Sequence, residues 1–290
     1  MHYTIQTESI RVAIAAHGAE LQSLFDKTTG TEYMWSGDEQ FWGKKSPVLF
    51  PIVGTLKNNT YFFKGNSYNL PRHGFARDKN FTLKNQADNS LLFTLDSDAG
   101  TLAVYPFTFQ FSILYTIQGA SLSVTYIVKN TGTGAMYFSV GGHPAFKVPL
   151  FVHENYEDHA LVFNKKEKAG RWPITPEGLI AAEPIPFFNN TDTIHLKKEL
   201  FQKDAIVFKH LASDSVKLIS ANSGKGIRFD FGGFPYLGIW AAKNADFICI
   251  EPWCGIADGE HSDQLLENKE GINRLEAGSQ WQQTWRVTIL

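Results

Sequence analysis

Phe107-Thr108-Phe109-Gln110-Phe111-Ser112-Ile113-Leu114-Tyr115-Thr116-Ile117-Gln118-Gly119-Ala120-Ser121-Leu122-Ser123-Val124-Thr125-Tyr126-Ile127-Val128-Lys129-Asn130 places apolar side chains at every second position on both sides of Gly119. A period of two belongs to a strand with one buried face, whereas an amphipathic helix repeats near 3.6. Two such runs joined by a short glycine-containing turn predict an antiparallel hairpin.

Outward from this hairpin the same signal recurs. Short β-rich runs lie at Arg11–Ile14, Tyr61–Phe63 and Ser90–Leu95 before it. Others follow at Ala205–Phe208, Ser215–Ile219, Gly226–Phe231, Leu237–Trp240, Phe247–Ile250 and Trp281–Leu290. Amphipathic helices of ten or more residues are scarce, and no fixed-length repeat or low-complexity linker divides the chain. The expectation is an all-β protein with few short helices, one continuous domain over residues 1–290, built as a large antiparallel sandwich or barrel. The stretch 152–203, with Pro173, Pro176, Pro184 and Pro186, is expected to form long loops beside the sheets.

Composition narrows the function. The chain has 290 residues, 43% hydrophobic and 14% aromatic, with 24 Gly and 12 Pro, the profile of a folded, turn-rich protein. A net charge of -2 with no long basic run gives no footprint for nucleic acid or an anionic membrane surface. No apolar stretch is long enough for a membrane helix, and the N-terminus lacks the pattern of a secretory signal. Cys249 and Cys254 match neither a CxxC redox pair nor half of a zinc site and are expected to be packing residues in a reducing cytoplasm. Oligomeric state is not legible in the chain.

Three groups suggest proton chemistry. His143, in Gly141-Gly142-His143-Pro144, follows a strand-like run and is aimed by flexible glycines before it and a rigid proline after it. Its side chain titrates near neutral pH, which suits an acid or base. His73 precedes Gly74 in a turn flanked by Arg72 and Arg77, whose charges favour the neutral imidazole. Glu251 closes the apolar run Phe247–Ile250, where partial desolvation would raise its pKa and make it a better base. Trp253 beside it offers a flat apolar face for a sugar ring. The structural alternatives are a hydrogen-bonded strand-end histidine, a surface-turn histidine and a salt-bridged rim glutamate. Two histidines and a glutamate can also bind zinc, but there is no His-Glu-x-x-His helix, so no metal or other cofactor is expected. Nucleophile-elbow and phosphate-loop motifs are absent.

At these residues the chain resembles the aldose 1-epimerase (galactose mutarotase) superfamily, most closely its LacX-type bacterial branch. The likeness spans nearly the whole length. It is carried by Pro47-Val48-Leu49-Phe50-Pro51-Ile52-Val53-Gly54 leading to His73-Gly74-Phe75-Ala76-Arg77, by Gly142-His143-Pro144-Ala145-Phe146, by Lys203-Asp204-Ala205-Ile206-Val207-Phe208, and by Glu251-Pro252-Trp253. The resemblance implies an antiparallel β-supersandwich with a sugar bound in a cleft across one sheet. It also implies interconversion of hexose anomers, Glu251 taking the anomeric hydroxyl proton and His143 protonating the ring oxygen. His73 and Asp204 would hold and polarise the sugar. A hexose 6-phosphate mutarotase and a non-catalytic carbohydrate-binding or sensing protein are the competing readings. A glycosidase using Asp204 and Glu251 is the weaker one. One departure stands out: where the branch commonly has arginine after Phe-Pro-Ile-Val-Gly, this chain has Thr55, followed by Leu56-Lys57. Lys57 cannot copy a forked donor, so Arg77, or failing that Arg72, is expected to supply the charge.

Overall fold

The computed structural model describes residues 1–290 and contains one short α-helix, Ala99–Val104, among 25 strands. The alternating stretch forms the predicted hairpin. Phe109–Gln118 pairs with Ser121–Asn130 in unbroken antiparallel register from Phe109 opposite Asn130 to Gln118 opposite Ser121. The two-residue loop turns through Gly119 at φ 56°, left-handed backbone that costs glycine least.

This hairpin lies within a nine-stranded antiparallel sheet. In spatial order its strands are Thr191–His195, His159–Glu167, Ser215–Ser220, Gly226–Asp230, Gln280–Ile289, Ser121–Asn130, Phe109–Gln118, Ser90–Asp96 and Thr82–Ala87. The C-terminal strand is therefore central, hydrogen-bonded on both sides. The odd-numbered residues Phe109 to Ile117 and the even-numbered Leu122 to Val128 are buried together on one face. Each contributes about 1.5–3 kcal/mol of transfer free energy.

Against that face packs a second sheet: Ile206–Lys209, Tyr236–Trp240, Phe247–Cys254, Val140–Gly142 and Val48–Leu49, with Ala145–Lys147 also pairing to Phe247–Cys254. Phe50 stacks on Phe111 at 4.4 Å, and Phe146 meets Phe229 edge-on at 6.0 Å. Gly142 allows the close approach. A Cβ there would lie 2.6 Å from the Tyr126 hydroxyl and 3.1 Å from Trp285 Nε1 on the larger sheet. A four-stranded N-terminal sheet covers another part of the same face, through Tyr3 against Phe93 and the Tyr115 hydroxyl donating to the Ala19 carbonyl. One core of 68 buried residues runs from Ile5 to Val287.

Three readings change. Residues 152–203 are not all loop, since His159–Glu167 and Thr191–His195 complete one edge of the large sheet. Their alternation is masked because three of the nine residues in His159–Glu167 are exposed and consecutive, Asn164 to Lys166. Glu251 does not close a strand. Phe247–Cys254 continues through it and Pro252, buried throughout. The hairpin strand begins at Phe109 rather than Phe107.

Candidate active site

The strand Phe247–Cys254 has two faces. Because Gly142 points at the large sheet, its neighbours Gly141 and His143 point outward, and so do the residues opposite them. Val140 lies opposite Cys254, Gly141 opposite Trp253 and, past an interruption, Ala145 opposite Cys249. The register is the same on both sides of the break, so His143 stands directly across from Glu251. Pro144 causes the break: it has no N–H to give the ladder, and its carbonyl takes the Ile250 N–H at 3.2 Å. Facing cross-strand residues hold their Cβ atoms about 4.5–5.5 Å apart, which lets the two side chains meet.

They do meet. His143 Nε2 lies 3.2 Å from Glu251 Oε2, with Glu251 only 2% and His143 8% exposed. Burial is the main influence on both: it lowers His143 to about 3 and pushes Glu251 well above the usual carboxylate range. The charges of Arg72 and Arg77 disfavour imidazolium further, while Arg72 opposes the rise at Glu251. Both shifts favour the neutral forms of the two groups. A second buried His–Glu contact differs at the imidazole only, since Glu154 Oε2, like Glu251 Oε2, is buried without a hydrogen bond. His159, 3.1 Å from Glu154, has both ring nitrogens in hydrogen bonds, to the Leu150 N–H and the Asn155 carbonyl. His143 Nδ1 and Glu251 Oε2 are buried with no hydrogen-bond partner. Buried polar atoms are normally satisfied, so it is the open His143 Nδ1, rather than the carboxylate, that sets this pair apart.

Above it opens a cleft of about 480 Å³. All six residues singled out from sequence, Glu251, His143, His73, Asp204, Arg77 and Trp253, line it. The Phe50–Gly54 segment and the His73 turn are locked together. Gly54 N–H donates to His73 Nδ1 at 3.1 Å, His73 N–H to the Gly54 carbonyl at 2.9 Å, and Phe75 and Ala76 N–H groups to the Phe50 carbonyl. A Cβ on Gly74 would lie 2.4 Å from that carbonyl oxygen. His73 itself sits at φ 71°, a conformation costing a non-glycine residue about 1–3 kcal/mol that functional sites commonly retain. Burial, then His143, Arg72 and Arg77, hold its pKa well below normal. With Nδ1 accepting from Gly54, the neutral ring carries its proton on Nε2 and is a donor there. Arg72 Nε–H also points at Nε2 from 3.3 Å, a donation that this tautomer excludes.

Asp204 accepts the Ala205 N–H at 2.7 Å and faces Arg72 at 3.8 Å. Arg77 is in the cleft, but one of its amino groups holds the Arg72 carbonyl at 2.9 Å, so Arg72 is the freer guanidinium. Trp253 is 5% exposed and lies flat in space left by Gly141 and Gly238, whose added Cβ atoms would each come within 2.6 Å of its ring. The aromatic faces more open to the cleft belong to Trp42 and Trp240, which the sequence reading missed. Trp42 packs on His143 at 4.8 Å and Trp240 edge-on at 5.5 Å. Trp240 was findable, since alternation puts it on one face with Gly238; nothing local marks Trp42. Thr55 is not in the cleft. Its hydroxyl packs beneath Gly178, and Lys57 reaches away to the Glu260 carbonyl.

Cys249 was expected to pack near the site, and it is buried there. Its Sγ, a His143 nitrogen and a Glu251 oxygen all fall within 4.8 Å of one another, a donor set that could hold a zinc-like ion. Burial pushes the thiol well above its usual pKa, so a cation would have to expel protons from both Cys249 and Glu251. The set suits proton transfer better.

A β-sandwich with a buried His–Glu pair at the floor of a polar, aromatic-walled cleft is the class of protein this geometry defines. The chain belongs to the aldose 1-epimerase family, an isomerase family whose sequence model matches residues 1–270. It is 34% identical over 299 aligned positions to the chromosomal and plasmid LacX proteins of Lactococcus lactis subsp. lactis, covering the whole of each chain. Among solved structures it is similar to a galactose mutarotase related enzyme from Lactobacillus acidophilus, with 35% identity and a TM-score of 0.94 over 100% of this chain and 97% of that one. A galactose mutarotase-like protein from Lactobacillus casei ATCC 334 superposes with a TM-score of 0.92 at 30% identity over all of both chains. No helix is long and apolar enough to cross a membrane.

Proposed function

We propose that this protein is an aldose 1-epimerase that interconverts the α and β anomers of a hexose, with Glu251 as base and His143 as acid. The observation that carries the reading is their buried contact of 3.2 Å at the floor of the cleft. O1 and O5 of a pyranose share carbon C1, so an acid and a base serving both must stand within a few ångströms of each other.

Glu251, as carboxylate, takes the O1 proton while the C1–O5 bond breaks and His143 delivers a proton to O5. The product is the open-chain aldehyde. Rotation about C1–C2 and reversal of both proton transfers close the ring as the other anomer. The carboxylate–imidazolium pair this needs holds the same protons as the neutral pair at rest. An incoming row of sugar hydroxyls favours that charged form by replacing the missing solvation, while Arg72 favours its carboxylate half alone. His73 Nε2–H serves as a donor to a sugar oxygen, Asp204 as an acceptor, and Trp42 and Trp240 as apolar walls. The names of the similar lactobacillar structures support galactose as the first substrate to try. The two free cysteines suit a reducing cytoplasm.

Polarimetry of freshly dissolved galactose and glucose tests this. Glu251→Gln, nearly isosteric, is expected to slow enzymatic mutarotation by about 10²–10⁴-fold while still binding sugar. A wild-type rate no faster than buffer, with sugar binding retained, would instead identify a carbohydrate sensor.

A further inference from the structure

Three tryptophans are buried, Trp35, Trp253 and Trp285. Trp35 Nε1–H donates to the Trp42 carbonyl at 2.8 Å and Trp285 Nε1–H to the Tyr126 hydroxyl at 3.0 Å. Trp253 Nε1 has no hydrogen-bond partner. A buried indole N–H normally finds an acceptor, so the exception points to one that accepts only in another state of the protein. Sugar stacking does not explain it, because the ring is 5% exposed and stacking uses a face, not the N–H edge. The packing of the ring shows where that edge is turned. Gly141 lies opposite Trp253 and Gly238 opposite Glu251. A Cβ on Gly141 would meet Trp253 Cδ1, and one on Gly238 would meet Cζ2 and Cη2, each at 2.6 Å. The edge Cδ1–Nε1–Cε2–Cζ2 therefore runs diagonally across the strand, from the level of Trp253 to that of Glu251. Its N–H faces the Glu251 side chain, which leaves the same face of the strand two residues earlier. Glu251 Oε2 offers an acceptor there, buried and itself without a hydrogen bond.

We propose that Trp253 is a positioning residue for the base: its Nε1–H donates to Glu251 when that group is a carboxylate, holding its aim into the cleft and favouring the ionised form. The role rests on the reading of Glu251 as the base. A carboxylate accepts a charge-assisted hydrogen bond about twice as strong as a neutral one, so a fixed donor discriminates between the two protonation states. Burial raises the Glu251 pKa; Arg72 and then the Trp253 N–H act against the rise, and Asp204 adds to it. His143 across the ladder and Cys249 on the same strand are the other titratable groups against Glu251, their donor atoms within 4.8 Å. Burial favours the neutral form of both, which leaves Arg72 and the indole to favour the carboxylate. The Arg72 side chain is 45% exposed and so screened by solvent, whereas the indole is packed in place between two glycines.

Trp253→Phe keeps an aromatic ring and removes the N–H. In the pH profile of kcat/KM for galactose and glucose mutarotation, its acid limb is expected about one to two pH units above that of wild type, the effect of losing one hydrogen bond to a charged group. Below the limb kcat/KM is expected to fall by about tenfold or more and to recover as pH rises, which a merely structural defect would not allow. Indole ¹⁵N–¹H NMR of the wild-type protein reads the hydrogen bond itself. The Trp253 resonance, the one missing from Trp253→Phe, is expected to move downfield as Glu251 ionises and to stay still in Glu251→Gln. Should Trp253→Phe not fold, the loss of that titration in Glu251→Gln identifies the resonance and decides the matter. An acid limb that stays in place, whether or not the rate drops, or an indole resonance blind to Glu251 ionisation, overturns the proposal and leaves the epimerase reading intact. A wild type that turns over no sugar overturns the epimerase reading, and the indole titration then decides alone whether Trp253 holds Glu251.

Discussion

At the scale of single residues, Glu251 and His143 are placed where solvation would not put them, and folding stability must register it. The folded chain keeps the Glu251 proton above the ordinary carboxylate value of 4.5. As pH rises past that value the unfolded chain ionises and the folded one does not, so stability falls through the window up to the raised folded value. His143 works in the opposite sense. Its folded value of about 3 lies below the ordinary 6.5, so stability falls as pH drops between the two, where only the unfolded chain takes up the proton. Glu251→Gln removes the first penalty. Its melting temperature relative to wild type is expected to climb as pH rises above about 5, by at most about 1.4 kcal/mol of stability per pH unit. His143→Gln is expected to gain relative to wild type on going from about pH 6 to about pH 4. Differences that stay flat with pH would show both groups to be ordinarily solvated.

At the scale of elements, the site is a property of three adjacent strands. Glu251 lies opposite Gly238 on one side and His143 on the other, and Trp253 fits because Gly141 and Gly238 carry no side chain. Gly238→Ala would push a methyl group to 2.6 Å from the indole ring and 3.3 Å from Glu251 Cβ. Overpacking of this kind costs about 1–3 kcal/mol, and the displaced indole should raise KM. Gly134→Ala, which meets nothing within 4 Å, is expected to change stability by less than about 0.5 kcal/mol. Denaturant melts with sugar titrations compare the two, and equal effects would discount the floor glycines.

At the scale of the whole molecule, the chain's last strand occupies the middle of the nine-stranded sheet. Gln280–Ile289 pairs with Ser121–Asn130 and with Gly226–Asp230, and Trp285 stacks on Phe229 at 5.1 Å while donating to the Tyr126 hydroxyl at 3.0 Å. The sheet is incomplete until this strand arrives. A chain truncated after Ser279 exposes two long interior edges, the usual route to edge-to-edge aggregation. Such a truncation is expected to yield no soluble folded protein, whereas removal of Met1 alone should be silent. Soluble expression and size-exclusion chromatography check this, and a folded truncated monomer would refute it.

The sequence alone determined what depends on near neighbours: the strands, through alternation; the Gly119 turn; and the aim of His143 between glycine and proline. It also named the histidines and the glutamate, because their local settings are unusual and match those of the aldose 1-epimerases. Tertiary structure decided everything non-local. That His143 faces Glu251 depends on a cross-strand register between segments far apart in the chain. The recruitment of Trp42, Trp240 and Cys249 depends on that pairing too, as does the removal of Thr55 from the cleft by the Gly178 loop. The opposite pKa shifts of His143 and Glu251 arise the same way, since a pKa follows how much water the assembled fold excludes, and no run of residues encodes that by itself.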